Sequence, residues 1–261
     1  MLLLQVKYDL YLGLGIMQEV KILPGLTISQ GGLQVWDACR RKFQYIYLED
    51  CQSLPAIAAA KGLELGSQFH LLVQQSFLGQ DIRPWLAGQP KLQRWYQAFE
   101  LFRQQLPSGE YLPEHRRCWG DQGVGVNVIY DLLVLGRDQA VIFDWKTHQH
   151  PIRMGQLRQQ WQTRLYLYVL AKTSAYACKD LSMVYWFANR AEQVRIGYSD
   201  ALHAEIEEDL SDRLQEIRLG LETKQDWPRL ARTSEVCGQC QFYYRCWSDV
   251  GQELDYPEIE V

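Results

Sequence analysis

Asp144 and Lys146 stand at the end of "AVIFDWKTHQ", residues 140–149, a run otherwise as apolar as a core strand. Side chains two apart on a strand share a face, so a carboxylate and an ammonium meet where a buried element ends. Alone, such a pair is more often a structural ion pair than a reactive one. A second carboxylate changes the reading. "NVIYDLLVLGRDQAVIFDWKT" is two apolar β-rich runs around the polar break "GRDQ", the signature of an antiparallel hairpin. With Gly136 to Gln139 as the loop, Leu135 faces Ala140, Leu132 faces Phe143 and Asp131 faces Asp144. Opposed carboxylates repel, and a salt bridge does not account for two of them. A divalent cation such as Mg²⁺ does, because it takes one or two protein carboxylates and leaves other positions for water and phosphate. Lys146 cannot share the cation and suits a phosphate or a metal-bound water. A register slip by one residue, or a protonated aspartate, would remove this argument.

Two further patterns carry candidate chemistry. In "CGQCQFYYRC", Cys237, Cys240 and Cys246 place three thiols in a short segment, and Cys39 in "CRRKF" could supply a fourth from the other end of the chain. Soft thiolates select zinc or an iron–sulfur cluster, and spacing does not choose between them. Cys51, Cys118 and Cys178 lack partners at ligand spacing and read as ordinary thiols. His70 lies in the apolar run "LELGSQFHLLVQQSFLG", where a histidine is more often a satisfied core residue than a ligand.

The elements that must position these residues follow from periodicity. "TISQGGLQVWDACRRKFQYIYLED", with Leu33, Trp36, Phe43 and Tyr47 at helical spacing, predicts one helix; "LELGSQFHLLVQQSFLG" and "KLQRWYQAFELFRQQL" predict two more. After the hairpin, "GQLRQQWQTRLYLYVLAK" predicts a helix packed through Leu157, Trp161 and Leu165. Arg158, Gln162 and Tyr166 would form a polar row along it. That row is either a solvated face or a contact surface beside the hairpin.

Composition sets the outer bounds. At 261 residues, 47% hydrophobic and 22% charged, the chain is an ordinary globular one, read as a single domain over 28–247. Residues 1–27 read as an N-terminal extension, or as an over-long start with the true one at Met17; 233–247 form a C-terminal cysteine module and 248–261 a tail. The opening apolar stretch is interrupted by Lys7 and Asp9 and is too short to span a membrane. An odd cysteine count without a signal peptide points to reduced thiols and a cytoplasmic setting. A net charge of −4 leaves nucleic-acid binding to local patches.

Taken in order, the motifs resemble the PD-(D/E)XK nuclease core. Asp131 followed by Asp144-Trp145-Lys146 matches its metal-binding hairpin. "GSQFH" (Gly66 to His70), "QTRLY" (Gln162 to Tyr166) and the cysteine set resemble its RecB-like exonuclease branch, similar to CRISPR-associated RecB-like exonucleases and the nuclease domains of helicase–nuclease subunits. The resemblance implies an α/β, restriction-endonuclease-like fold with a mixed central sheet flanked by helices, its N- and C-terminal segments joined by a cysteine-ligated cluster. It implies Mg²⁺ or Mn²⁺ held by His70, Asp131, Asp144 and the Trp145 backbone carbonyl, with Lys146 catalytic. Gln162, Tyr166 and Arg158 would contact DNA, with Glu114 and Gly66 in support. It favours a 4Fe-4S cluster on Cys39, Cys237, Cys240 and Cys246 over zinc.

The implied activity is a deoxyribonuclease, an exonuclease on single-stranded DNA in repair, recombination or CRISPR adaptation, with a helicase or CRISPR adaptation proteins as partners. The other reading is a non-catalytic DNA-binding or scaffolding subunit of a helicase–nuclease complex. This sequence departs from the family pattern in three places. No glycine precedes Asp131 closely, Asp144 replaces the usual glutamate, and Arg40 stands where proline is usual.

Overall fold

The computed structural model describes residues 26–51, 57–121, 123–148, 153–223 and 226–248. The expected extension up to residue 25 and the tail from residue 249 lie outside the described residues. In chain order the elements are β1 (Thr27–Ile28), α1 (Gln30–Ala38), α2 (Arg40–Phe43), α3 (Ile57–Phe77), α4 (Arg83–Leu86), α5 (Pro90–Arg103), β2 (Glu110–Asp121), β3 (Val124–Leu135), β4 (Ala140–Lys146), α6 (Met154–Gln159), α7 (Trp161–Lys172), β5 (Leu181–Phe187), β6 (Glu192–Gly197), α8 (Asp200–Thr223), α9 (Glu235–Gly238) and α10 (Tyr243–Trp247).

The strands form one mixed sheet, as the resemblance implies. β2, β3 and β4 make an antiparallel meander, and β5 joins β4 in parallel after the α6–α7 crossover. β6 pairs antiparallel to β5, and the short β1 runs parallel to β3 at Gly125 and Val126. The hairpin register is the one read from the sequence over its described pairs, Leu132 opposite Phe143 through Leu135 opposite Ala140. A four-residue polar loop between two uninterrupted apolar runs leaves little freedom for another.

Helices cover both faces of the sheet. On one, α3 and α5 pack Phe69, Leu72, Trp95, Phe99 and Phe102 against Val141, Phe143, Trp145 and Trp186. On the other, α1, α7 and α8 pack Trp36, Leu165, Val169, Leu210 and Leu214 against Ile142, Met183 and Tyr185. β3 belongs to both layers in an instructive way. Val124, Val126, Val128 and Tyr130 join the α7–α8 layer, whereas Leu132 and Val134 join the α3–α5 layer, so the alternation of side chains changes phase at Asp131.

Two expected helices are broken. The first stops at Cys39, whose backbone is extended, and resumes as α2 leading into a π-helical turn over Gln44–Leu48. The last breaks at Gln160, which caps both α6 and α7. Neither break is at proline or glycine. At the second, the Thr163 hydroxyl donates to the Leu157 carbonyl and so occupies an acceptor that a continuous helix would give to a backbone amide. Arg158 therefore lies on α6 and does not share a helical row with Gln162 and Tyr166, contrary to the sequence expectation.

The four-cysteine expectation also needs correction. Cys39, Cys237, Cys240 and Cys246 do converge on one cavity, but its volume is about 20 Å³, room for roughly one water molecule and not for an eight-atom iron–sulfur cube. Among the described residues no three thiols lie within 4.8 Å of one another, as a single zinc ion would require. Neither a 4Fe-4S cluster nor zinc is supported there. Among the contacts that join the N-terminal helices to the segment after α8, Arg41, buried, donates to the Trp227 carbonyl at 2.8 Å and pairs with Asp226 at 2.9 Å. Trp227 in turn packs edge-on to Trp36 and lies so close to α8 that a Cβ on Gly220 would fall 1.9 Å from its indole nitrogen.

Candidate active site

The register of the meander places three acids at one level of the sheet. Pro113 pairs with Leu132 and His115 with Tyr130, which sets Glu114 beside Asp131; the β3–β4 register sets Asp144 beside Asp131 on the other side. Neither position continues its ladder as a regular pair. Like charges side by side on adjacent strands are unfavourable, and the backbone responds. Glu114 takes a left-handed conformation, φ 48°, unusual for a residue with a side chain. Asp131, at the phase change, turns one carboxylate oxygen to the Trp145 backbone amide at 2.7 Å and the other to His70 Nδ1 at 3.3 Å. Asp144 stays on the α7 face. The expected face-to-face pair of aspartates is thus resolved by rotation of Asp131 toward α3.

His70 reaches this point because α3 passes close to the end of β4. Gly66, one helical turn earlier, makes that approach: a Cβ there would lie 2.8 Å from Thr147 Oγ1. The imidazole uses both nitrogens, Nδ1 on Asp131 and Nε2 2.8 Å from the Trp145 carbonyl oxygen. Burial works against its charged form, but the Asp131 charge and hydrogen bond, with the Asp144 charge and the Trp145 carbonyl, outweigh it and lift the pKa to about 9. Glu114 is raised above the ordinary carboxylate range by burial, then by the Asp131 charge. One ligand atom from each of His70, Glu114 and Asp131 falls within 4.8 Å of the other two. Carboxylate oxygens with one imidazole are a donor set suited to Mg²⁺ or Mn²⁺.

On the α7 side, Asp144 is 2% exposed. Its Oδ1 accepts from Gln162 Nε2 at 2.5 Å, and Lys146 Nζ lies 2.6 Å from Oδ2. Oδ2 has no aligned hydrogen bond despite that distance, so the contact is an ion pair. Lys146 also donates to Gln162 Oε1 at 2.8 Å and lies 5.2 Å from the centre of the Tyr185 ring. Burial, then the Asp131 charge, raises the Asp144 pKa, and Lys146 opposes them. Tyr166 is buried, its hydroxyl held protonated by burial and by the Asp144 charge; Tyr130 donates to its backbone carbonyl at 3.1 Å.

His70, Glu114, Asp131, Trp145 and Lys146 line a single cleft of about 840 Å³, with Gly66, Gln74, Lys91, Trp95 and Thr147 among its walls. Glu114, expected only in support, sits in the metal-grade grouping, while Asp144 is engaged with Lys146 and Gln162. Arg158 is exposed on α6 and does not line the cleft. Sequence reasoning missed Asn189, whose amide donates to the Thr147 and His148 carbonyls and accepts from Trp95 Nε1. A lone asparagine after a strand carries no signal that would have marked it.

No curated protein matches the chain. The crystal structure of a candidate exonuclease from Eubacterium rectale is similar over 94% of this chain and 96% of that one, at 11% identity and a TM-score of 0.50, a likeness of fold alone. The structure of the protein SSO0001, at 13% identity over 89% of each chain, has a TM-score of 0.37, too low to carry an argument. The sequence profile of one family spans everything from β1 to the last described helix, residues 27–247. Its hallmark is an acid in one strand followed across a hairpin by an acid-x-lysine, the arrangement that the meander builds here, and the chain belongs to the PD-(D/E)XK nuclease superfamily.

Proposed function

We propose that the chain is a Mg²⁺- or Mn²⁺-dependent deoxyribonuclease of the RecB-like exonuclease type, acting on single-stranded DNA. The observation that carries this reading is the convergence of His70, Glu114 and Asp131 within one ion's reach in the cleft that Lys146 also lines. Those three side chains and the Trp145 carbonyl would hold the ion, with Asp144 the remaining carboxylate of the set. A bound ion supplies a water of lowered pKa and neutralises charge on the phosphate. Asp131 takes the Trp145 amide, which fixes the end of β4 that presents the Trp145 carbonyl. Lys146 keeps an ammonium where charge grows on a phosphate oxygen, and Gln162 holds it against Asp144 until substrate arrives. Tyr166, protonated and buried behind Gln162, keeps that amide oriented. Arg158 would reach the DNA backbone from outside the cleft. The Gly66–His70 and Gln162–Tyr166 spacings support the RecB-like assignment.

The test is degradation of labelled strands, blocked at the 5′ or the 3′ end, single or duplex, in Mg²⁺ and in Mn²⁺. Metal-dependent loss of single strands that an Asp131→Ala preparation does not show is the expected result. Binding of DNA without cleavage under every metal condition would instead favour a non-catalytic DNA-binding or scaffolding subunit.

A further inference from the structure

Among the described residues, the lysines that line the cleft are Lys91 and Lys146. Lys146 is committed to Asp144 and Gln162. Lys91, on α5, makes no ion pair among the described residues; its ammonium lies over the Trp95 ring, 4.8 Å from the centroid. An indole face attracts a cation without neutralising it, so the charge of Lys91 stays available to a ligand.

That charge is also held in place. Trp95 is 5% exposed, and its Nε1 donates to Asn189 Oδ1 at 3.1 Å. Asn189 donates in turn to the Thr147 carbonyl at 2.8 Å and the His148 carbonyl at 3.0 Å. The ammonium is therefore tied, through one indole and one amide, to the backbone immediately after Lys146. A lysine stem is ordinarily flexible and loses that freedom on binding. Here the indole under the ammonium is itself fixed, which favours one position of the charge relative to the end of β4.

Resting on the nuclease reading of this cleft, we propose that Lys91 is a preorganised contact for a phosphodiester of the bound strand, one that binds the backbone and takes no part in bond breaking. The ligand class is the nucleic-acid backbone because a lysine ammonium is a point charge without a planar fork, and it recognises charge and not base identity.

The experiment measures binding of a labelled oligonucleotide by the full chain across a salt series, without divalent cation and with calcium, for wild type, Lys91→Gln and Lys91→Arg. For Lys91→Gln the slope of log affinity against log salt should shrink by about 0.7 on single strands or about 0.9 on duplex. The loss should be uniform over sequences. KM should rise severalfold while kcat holds, the thermal midpoint should stay at the wild-type value, and Lys91→Arg should restore most of the slope. A wild-type slope in Lys91→Gln overturns the proposal, as does a fall in kcat with KM unchanged. If wild type itself shows no salt-dependent binding to either form of DNA, the nuclease reading fails and takes this proposal with it; a wild type that binds beside an unaltered Lys91→Gln removes this proposal alone.

Discussion

The acid row and the thiol corner both gather chemistry-bearing side chains from distant parts of the chain, and they end differently. At the acid row, carboxylates, an imidazole and the Lys91 and Lys146 side chains border an open cleft of about 840 Å³. At the corner, four thiols close on about 20 Å³ beneath Tyr45, Phe242 and Trp247. Burial raises the Cys237 and Cys246 thiols, which favours their protonated form while no metal is bound. Convergence alone does not make a site. Room for a ligand, and charge left over after the local pairs are made, distinguish the row from the corner.

The sharpest way to break that contrast is at Asp131. Asp131→Ala should lower the cleavage rate by about a thousandfold or more and abolish the rise in thermal midpoint that millimolar Mg²⁺ is expected to give the wild type. A metal-induced rise that survives would move the ion away from the acid row. Lys146→Ala should lower cleavage about a hundredfold while leaving the metal-induced rise intact, since the ammonium is no ligand. The Asp144 carboxylate left behind can take up a proton, so the variant should fold. Cleavage at the wild-type rate would end the catalytic role of Lys146. At the corner, Arg41→Ala should cost about 1.5–3 kcal/mol in denaturant unfolding, the scale of a lost charged hydrogen bond, and leave kcat alone. A catalytic defect there, in protein confirmed folded, would mean that the two regions are coupled.

The smallest expected effect is in pH. His70 is raised from 6.5 to about 9 in the folded, metal-free protein. The stability it contributes is therefore complete below about pH 6.5 and is lost as pH rises through 9. Asp144, also raised, acts in the same sense at lower pH: its contribution is present in acid and fades as pH climbs through its folded pKa. Between about pH 7 and 9 the metal-free midpoint should decline as pH rises, and His70→Asn should flatten that decline. On the proposed ligand set Mg²⁺ would displace the His70 proton, so the shift it produces should grow with pH up to about 9. Calorimetry with and without Mg²⁺ checks both trends; a metal-induced shift that shrinks toward pH 9 would remove His70 from the ligand set.

Much of the hairpin was legible because its determinants are local. "GRDQ" and the apolar runs beside it are enough to place Leu132 against Phe143. The turning of Asp131 was not legible, since its partners are His70 on α3 and the Trp145 amide, and neither was β2, which is half-exposed and carries His115, Arg116 and Arg117 where a clean apolar alternation would mark a strand. The breaks at Cys39 and Gln160 were invisible for a different reason. Apolar periodicity runs straight across both, and at Gln160 the interruption comes with the Thr163 hydroxyl, a tertiary and not a propensity effect. Gly66 and His70 could be paired by spacing, but what Gly66 admits, Thr147 at the end of β4, comes from elsewhere in the chain. The cysteines that would meet were foreseeable; the size of the space between them was not.

The anchor of Arg41 on Trp227 joins residues 186 apart in sequence, whereas β2, β3 and β4 meet across short turns. Closing a long loop loses more chain entropy than closing a short one, and contacts of large separation slow folding. The meander that carries Glu114, Asp131 and Asp144 should therefore assemble early, with the arginine latch closing afterwards. In kinetic terms, Arg41→Ala should act chiefly by speeding unfolding, with a φ-value near zero, while truncating Ile142 or Leu133 in the hairpin should slow refolding.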